Sequence, residues 1–432
     1  MSVITPRPYD DFLASKQPAR RSYGLDVHPD EMSESLFPFQ RDLTAWAVRT
    51  GRAALFADTG LGKTRMQLEW ARLVGGTVLI VAPLAVAHQT VEEARRIGID
   101  AAYAADQSAV GSSGIYVTNY ERVDRFESET LSGVVLDESS ILKAVDSKTR
   151  RQLTGQFACV PLRLACSATP APNDVAELAN HAEFLGQASR AEMLAAYFVH
   201  DDDGWRLKGH AAEALYEWLS TWAAAVKRPS DLGYPDAGYR LPPLRISAEV
   251  VPVDFKPEGQ LFATDLGGVG GRAAVRRQTL AARTDRATKL ASQPGQWVVW
   301  CGLNAEADAV AEGVDGVVNV PGAWSAEAKA EALVAFSRGD HRALVTKPSI
   351  AGYGLNLQNV SQMCFVGLSD SYESYYQAIR RCWRYGQENP VDVRIVVSDL
   401  ENEIVDNVRA KEAAAAETTN RLAAYAREAV RW

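Results

Sequence analysis

Short runs rich in β-branched and aliphatic residues recur along the chain, set apart by polar stretches or by stretches with helical spacing. In the first half the runs are AALFA (53–57), TVLIVA (77–82), IYVT (115–118), GVVLDE (133–138) and LRLACSAT (162–169). In the second half they are ISAEVVPVDF (246–255), WVVWCG (297–302), VVNV (317–320), ALVT (343–346), QMCFVG (362–367) and VRIVVS (393–398). Strand-like runs alternating with helical stretches predict parallel α/β sheets, here two in tandem. Between them lies a helical section. ALYEWLSTWAAAV (214–226) is read as one helix with Leu215, Trp218, Leu219 and Trp222 on one face, a stripe that belongs to a core before it belongs to a ligand. The Gly- and Pro-rich stretch 231–245 reads as a linker. The resulting division is an irregular N-terminal arm (1–35), a first α/β domain (36–185), a helical insertion and linker (186–244), a second α/β domain (245–400) and a C-terminal helix (401–432).

Composition narrows the class. A chain of 432 residues with 47% hydrophobic content has material for two or three cores. No apolar run approaches the roughly 18 to 20 residues of a membrane span, and the N-terminal MSVITPRPYDDFLASK lacks the apolar core of a secretory signal. A soluble, cytoplasmic protein without a membrane partner is expected. Five scattered cysteines with no CxxC pair point to reduced structural thiols rather than zinc or disulfides. The net charge of −8 argues at first against nucleic acid. Attraction to phosphates is local, however, and the doublets Arg20-Arg21, Arg95-Arg96, Arg150-Arg151, Arg276-Arg277 and Arg380-Arg381 are available to line a groove, or to lie solvated on helix faces.

Three segments carry chemistry. Ala57-Asp58-Thr59-Gly60-Leu61-Gly62-Lys63-Thr64 lies between a strand and an amphipathic helix, the setting in which backbone N–H groups at a helix N-terminus face phosphates. Gly60 and Gly62 allow close approach beside Thr59, Lys63 reaches the β- and γ-phosphates, and the Thr64 hydroxyl ligates Mg²⁺. The first glycine of the GxxxxGK[ST] pattern is Ala57 here. Val134-Val135-Leu136-Asp137-Glu138 is an apolar strand ending in two carboxylates. Asp137 is placed to assist Mg²⁺ and Glu138 to position or deprotonate an attacking water. In Gln377–Gln387, Arg381 and Arg384 stand three apart, so a helix would present both on one side, either to a γ-phosphate or to solvent. GGVGG (267–271) has no Lys-Ser/Thr after it and reads as a flexible turn.

With these segments the chain resembles a superfamily 2 helicase ATPase, closest to Swi/Snf-type DNA translocases and their compact phage or prophage relatives. Leu36-Phe37-Pro38-Phe39-Gln40 is similar to the Q motif, implying that Gln40 reads adenine. Ala82-Pro83-Leu84 with Gln89, Glu92 and Glu93 resembles motif Ia, and Thr118-Asn119-Tyr120-Glu121 the strand-binding segment, implying nucleic-acid contacts at Pro83, Asn119 and Tyr120. Cys166-Ser167-Ala168-Thr169-Pro170 with Asn173 resembles motif III, implying that Ser167 and Thr169 couple hydrolysis to DNA. Gly352–Leu357 resembles motif V and 377–387 motif VI, implying Gly354 and Gln377 at the nucleotide and Arg381 and Arg384 as catalytic arginines. Motif II reads DESS, Thr90 stands where a tryptophan is expected in motif Ia, and the Trp-Asn-Pro that precedes motif VI is absent from 369–377. Trp205, Lys208, Lys227 and Arg228, where relatives carry helical protrusions, are read as packing or solvated positions ahead of DNA contacts.

The resemblance implies two RecA-like parallel-sheet domains in tandem with a helical insertion between them, using ATP and Mg²⁺. The expected function is a DNA-stimulated ATPase that translocates along or remodels duplex DNA through backbone contacts. An RNA or single-strand helicase and an ATP-switched clamp that recruits a partner are the alternatives. A protein loader or nuclease partner stays open.

Overall fold

In the first half of the chain each run of apolar β-branched residues is followed by a return segment, so successive strands enter their sheet in one direction. The strands are β1 (Arg52–Ala57), β2 (Thr77–Ala82), β3 (Ala101–Tyr103), β4 (Gly114–Asn119), β5 (Gly133–Asp137), β6 (Leu162–Cys166) and β9 (Ala223–Val226). They form a seven-stranded sheet in the order β3-β4-β2-β5-β6-β1-β9, parallel at every pairing. The second sheet contains β10 (Leu244–Val251), β11 (Trp297–Cys301), β12 (Val317–Val320), β13 (Ala343–Thr346), β14 (Gln362–Val366) and β15 (Val391–Ser398). Its order is β10-β15-β14-β11-β13-β12, again parallel throughout. The computed structural model of the chain describes residues 23–143, 147–202, 204–252, 276–351, 356–369, 371–399 and 402–430. These fall into two compact units, one within Met1–Asp236 and Ala414–Trp432, the other within Ala237–Ala413.

The helices that matter below are α1 (Pro38–Thr50), α2 (Lys63–Val74), α3 (Leu84–Arg96), α4 (Leu178–Leu185), α5 (Arg190–Tyr197) and α6 (Ala212–Ser220) in the first unit. In the second they are α7 (Leu280–Ala291), α8 (Asn304–Gly313) and α9 (Tyr372–Cys382). The final helix, α10 (Asn402–Val430), has its last turns in the first unit, where Leu422 joins the core. No helix among the described residues is long and apolar enough to cross a membrane.

The section after β6 departs from the helical expectation. It holds α4, α5 and α6, but also an antiparallel hairpin, β7 (Phe198–Asp201) with β8 (Gly204–Leu207), and the edge strand β9. The helix expected over 214–226 stops at Ser220. There the Ser220 and Thr221 hydroxyls donate to the carbonyls of Glu217 and Trp218, meeting acceptors that a further turn would use. AAAV then pairs with β1, because burial in a parallel sheet outweighs the helix preference of alanine. Leu215, Trp218, Leu219 and Trp222 are all buried in the first core, as their spacing implies. The arm is held from Tyr23 onward. Leu25 N–H donates to Val48 O, Ser33 N–H to the Glu69 carboxylate, and Val27 and Met32 are buried. The GGVGG segment lies outside the described residues.

The second core is Val299, Val345, Cys364, Val366 and Val396 under Ala287, Leu290 and Val310. A buried charge cluster sits at its margin. Glu306 of α8 accepts from Arg276 (Nε, 3.0 Å) and Arg283 (Nη1, 2.8 Å), and from the backbone N–H groups of Gly302 and Leu303. Burial pushes the Glu306 carboxyl up, but the two guanidiniums and their hydrogen bonds outweigh it and hold the carboxyl below the ordinary glutamate value. Its stabilisation is therefore complete above the ordinary glutamate pKa and is lost as pH falls through the lowered one. Glu306→Ala would remove the carboxylate partner of buried Arg283 and half-buried Arg276 and is expected to destabilise this unit by about 3–5 kcal/mol. Urea unfolding followed by the fluorescence of Trp297 and Trp300, both buried in β11, measures it.

Candidate functional site

The loop after β1 is built by two glycines in the left-handed region, Gly60 (φ 91°) and Gly62 (φ 81°). Gly62 caps α2 in the left-handed region, and a Cβ there would meet the Gln40 amide nitrogen at 2.3 Å, so a larger residue would strain the backbone and also displace the Gln40 side chain. Lys63 opens α2, with Nζ donating to the carbonyls of Ala57 (2.9 Å) and Asp58 (3.4 Å). Thr59 N–H bonds the Asp58 carboxylate, and Thr64 follows in the first turn. Gln40, on α1, is buried against this loop. Its Nε2 donates to Leu61 O (2.9 Å) and its Oε1 accepts from Phe37 N–H (2.9 Å). The side chain expected at adenine thus also braces the loop.

β5 delivers Asp137 to the same edge. Asp137 is buried. Its Oδ1 accepts from Gln67 Nε2 (2.7 Å) and Glu138 N–H (3.1 Å), and its carbonyl from the Tyr120 hydroxyl (2.6 Å). Burial raises the Asp137 carboxyl above its ordinary value, opposed by the Gln67 hydrogen bond and the Lys63 charge. Glu138 is the one non-glycine among the described residues with positive φ, at 54°. A side chain in that region costs roughly 1–2 kcal/mol, and such strain gathers where a group is held for chemistry.

The turn after Glu138 is gripped by α4. Ser139 Oγ lies 3.1 Å from His181 Nε2, and Asn180 Nδ2 donates to the carbonyls of Leu142 and Lys143. Burial lowers the His181 pKa to about 4, so the ring is neutral at physiological pH. Ser140, also buried, reaches Glu138 O at 3.5 Å. On the neighbouring strand end Ser167 is buried and its Oγ accepts from Thr169 N–H at 3.0 Å, while Thr169 is itself buried.

The residues expected at nucleic acid fall differently. Pro83 caps the start of α3. Asn119 is buried, with both ends of its amide engaged, by Tyr103 (2.9 Å) and by Glu121. Tyr120 directs its hydroxyl to the Asp137 carbonyl, so its polar end is placed with the carboxylates. Burial, then Asp137 and Glu138, push its ionisation well above the ordinary tyrosine value. Lys208 caps α5 through Ala195 O and Ala196 O, Lys227 Nζ meets Asn420 at 2.7 Å, Trp205 packs edge-on to His200, and Arg228 pairs with Asp231. Gln67, Ser139, Asn180 and His181 escaped the sequence reading. Only Gln67 had a signal, a polar residue inside the otherwise apolar face of an amphipathic helix.

The second unit holds the arginines. α9 ends at Cys382, so Arg381 lies on the helix and Arg384 beyond it, and the shared helical face expected for the pair does not form. The Trp383 indole donates to Pro242 O (2.7 Å) and Gln387 Nε2 to Cys382 O (3.2 Å), turning the chain out before Gly386 (φ 88°). Gln377 is buried and accepts from Arg381 Nη2 at 3.2 Å. Burial, then Arg381 and Arg380, lower the Arg384 pKa to about 10. Gly354 lies outside the described residues. Leu357, just after it, donates its N–H to Arg381 O. Among the described residues no group of three or more His, Cys, Asp or Glu gathers as a metal cage.

Residues 284–386 match the family model of the helicase conserved C-terminal domain. No curated protein matches the chain. Among solved structures, a variant of S. cerevisiae Dbp5 bound to RNA and ADP BeF3 is similar at 13% identity and TM-score 0.57, covering 90% of this chain and 94% of that one. S. cerevisiae Dbp5 bound to RNA and ADP BeF3 is similar at 13% identity and TM-score 0.54, covering 91% and 98%. The Sulfolobus solfataricus SWI2/SNF2 ATPase core in complex with dsDNA is aligned at 17% identity over 92% and 99%, with TM-score 0.44. The fold is two RecA-like parallel-sheet domains in tandem, and the helicase conserved C-terminal domain match falls within the second of them.

The strain at Glu138 is measurable apart from activity. Glu138→Gly removes roughly 1–2 kcal/mol of left-handed strain against about 0.4–1 kcal/mol from the freer unfolded chain. Its denaturation midpoint is expected to equal or exceed that of the unaltered protein, whereas Glu138→Val lowers it.

Proposed function

We propose that the chain is an ATP-hydrolysing nucleic-acid motor, and more specifically a DNA-stimulated ATPase that translocates along or remodels duplex DNA. The observation that carries the hydrolytic part is the meeting of Lys63, Asp137 and Glu138 at one sheet edge, with Glu138 in a strained backbone. The helicase family match over 284–386 supports the motor part. Duplex DNA as the track rests on the sequence resemblance to Swi/Snf-type motifs.

In this reading the N–H groups of the loop through Thr59, Gly60 and Gly62 cradle the phosphates, and Lys63 exchanges its carbonyl contacts for the β- and γ-phosphates. The Thr64 hydroxyl and the Asp137 carboxylate are hard oxygen donors at one edge, and they suit Mg²⁺, which keeps waters and takes phosphate oxygens rather than an all-protein cage. Bound there, Mg²⁺ would neutralise charge on the phosphates. Glu138 accepts a proton from water as the water oxygen bonds to the γ-phosphorus. The bond from that phosphorus to the β–γ bridging oxygen breaks, leaving ADP and inorganic phosphate. Arg381 and Arg384 balance charge on the transferring group, Gln40 contacts adenine while bracing the loop, and Ser167 and Thr169 pass the state of the site to the nucleic acid. Gln377 and Gly354 are assigned to nucleotide binding, and Pro83, Asn119 and Tyr120 to the strand. For Asn119 and Tyr120 that contact would come through backbone and ring, since their polar ends are engaged internally.

Steady-state ATP hydrolysis without nucleic acid, then with duplex DNA, single-stranded DNA and RNA, tests the proposal, with Glu138→Gln as the blank. Strong stimulation by duplex DNA is expected. Preference for RNA or a single strand would replace the duplex track by a helicase reading, and no stimulation by any of them would remove the motor. Arg384→Ala is expected to leave ATP affinity within a few-fold and to lower kcat by about 10³ or more, the range of an arginine finger. Loss of nucleic-acid binding alone would contradict that assignment.

A further inference from the structure

Gln67 has no role in the reading above, yet it is wholly buried beneath the candidate nucleotide loop. It stands four residues after Lys63 and three after Thr64 on α2, the spacing that puts all three on one side of a helix. Its Nε2 donates to Asp137 Oδ1 at 2.7 Å, while its Oε1 is buried without a hydrogen-bond partner among the described residues. A buried orphan acceptor costs about 1–3 kcal/mol, which an aliphatic side chain at this core position would avoid. What the amide gains in exchange is chiefly its bond to Asp137, with the buried Cys166 thiol also beside it.

That bond has a geometric consequence. Asp137 Oδ1 receives two donors, Gln67 Nε2 and Glu138 N–H (3.1 Å), which fills the lone pairs of one carboxylate oxygen. No hydrogen bond reaches Oδ2 among the described residues. We infer that Gln67 is a positioning residue for the metal: by holding Oδ1 it fixes the Asp137 carboxylate with Oδ2 as the oxygen offered to Mg²⁺. The inference rests on the nucleotide-site reading and deepens it. Outer-shell groups that orient a ligating carboxylate act in this way, and their removal costs typically 10- to 100-fold in metal affinity or activity.

The test uses Gln67→Met, which keeps volume and removes the amide, and Gln67→Asn, which keeps the amide but withdraws it by one methylene. Calorimetric titration of ADP is made with EDTA and again with increasing Mg²⁺, beside ATP hydrolysis over the same Mg²⁺ range. In both variants the half-saturating Mg²⁺ concentration is expected to rise about 10- to 100-fold. ADP affinity in EDTA should stay within about two-fold, and excess Mg²⁺ should restore most of kcat, since positioning lost to the variant is recovered by mass action. An unchanged Mg²⁺ requirement in either folded variant overturns the inference, as does a loss of kcat that Mg²⁺ does not restore. Should the unaltered protein bind neither ADP nor ATP, the nucleotide-site reading itself fails. Normal binding there with variants indistinguishable from it sinks only the role of Gln67.

Discussion

A parallel sheet sends all its strands out at one edge, and the candidate site depends on that constraint. In the first unit β1, β2, β4, β5 and β6 run the same way, so the glycine loop after β1, Pro83, Asn119-Tyr120, Asp137-Glu138 and Ser167 emerge together although they are far apart in sequence. The register makes the arrangement finer. Leu55 and Asp137 are both level with Cys166, and Ser167 N–H bonds Leu55 O. A slip of one residue in β5 would send Asp137 to the opposite face. The strands are buried on both faces along their whole length, so the register is held by the ladder and by the polar residues at their ends rather than by a difference between the faces.

The same edge concentrates polar groups in a place where burial would ordinarily exclude them. Gln40, Gln67, Asp137, Ser139, Ser167, Thr169 and His181 are all buried there. Most form hydrogen bonds with one another or with backbone, which the low-dielectric setting strengthens, while Gln67 Oε1 and Thr169 Oγ1 are buried without a partner among the described residues. Burial keeps the His181 ring neutral beside Ser139. Glu138 carries the residual strain. The second unit solves a comparable problem by charge, with Glu306 paired to both Arg276 and Arg283 inside the protein.

How much of this was legible follows from the kind of signal each element left. Long runs such as TVLIVA and WVVWCG became strands because their composition and their burial agree. β3, three residues of Ala-Ala-Tyr, and β9, Ala-Ala-Ala-Val, have no strand preference of their own and exist through their neighbours β4 and β1. Lys63, Asp137 and Glu138 were legible because loop, strand and charge fall in fixed spacing. Gln67, Asn180 and His181 were not, since their meaning lies in partners 70, 38 and 42 residues away. The end of α9 at Cys382 was hidden for the same reason: the groups that turn the chain, Pro242 O and the Gln387 amide, act from outside the helix.

The arginine cluster shows how far position discriminates within a motif. Arg380 stacks over Trp383 at 4.9 Å and is buried, and Arg381 is buried with its Nη2 on Gln377. Both are fixed by packing on α9. Arg384 lies past the helix end, in a more open setting, yet burial and the two guanidiniums before it lower its pKa to about 10. At neutral pH it still carries its proton, so three positive charges are crowded together. In the proposed reading both arginines answer charge on a transferring phosphoryl group, and Arg381 in addition holds Gln377 through its Nη2.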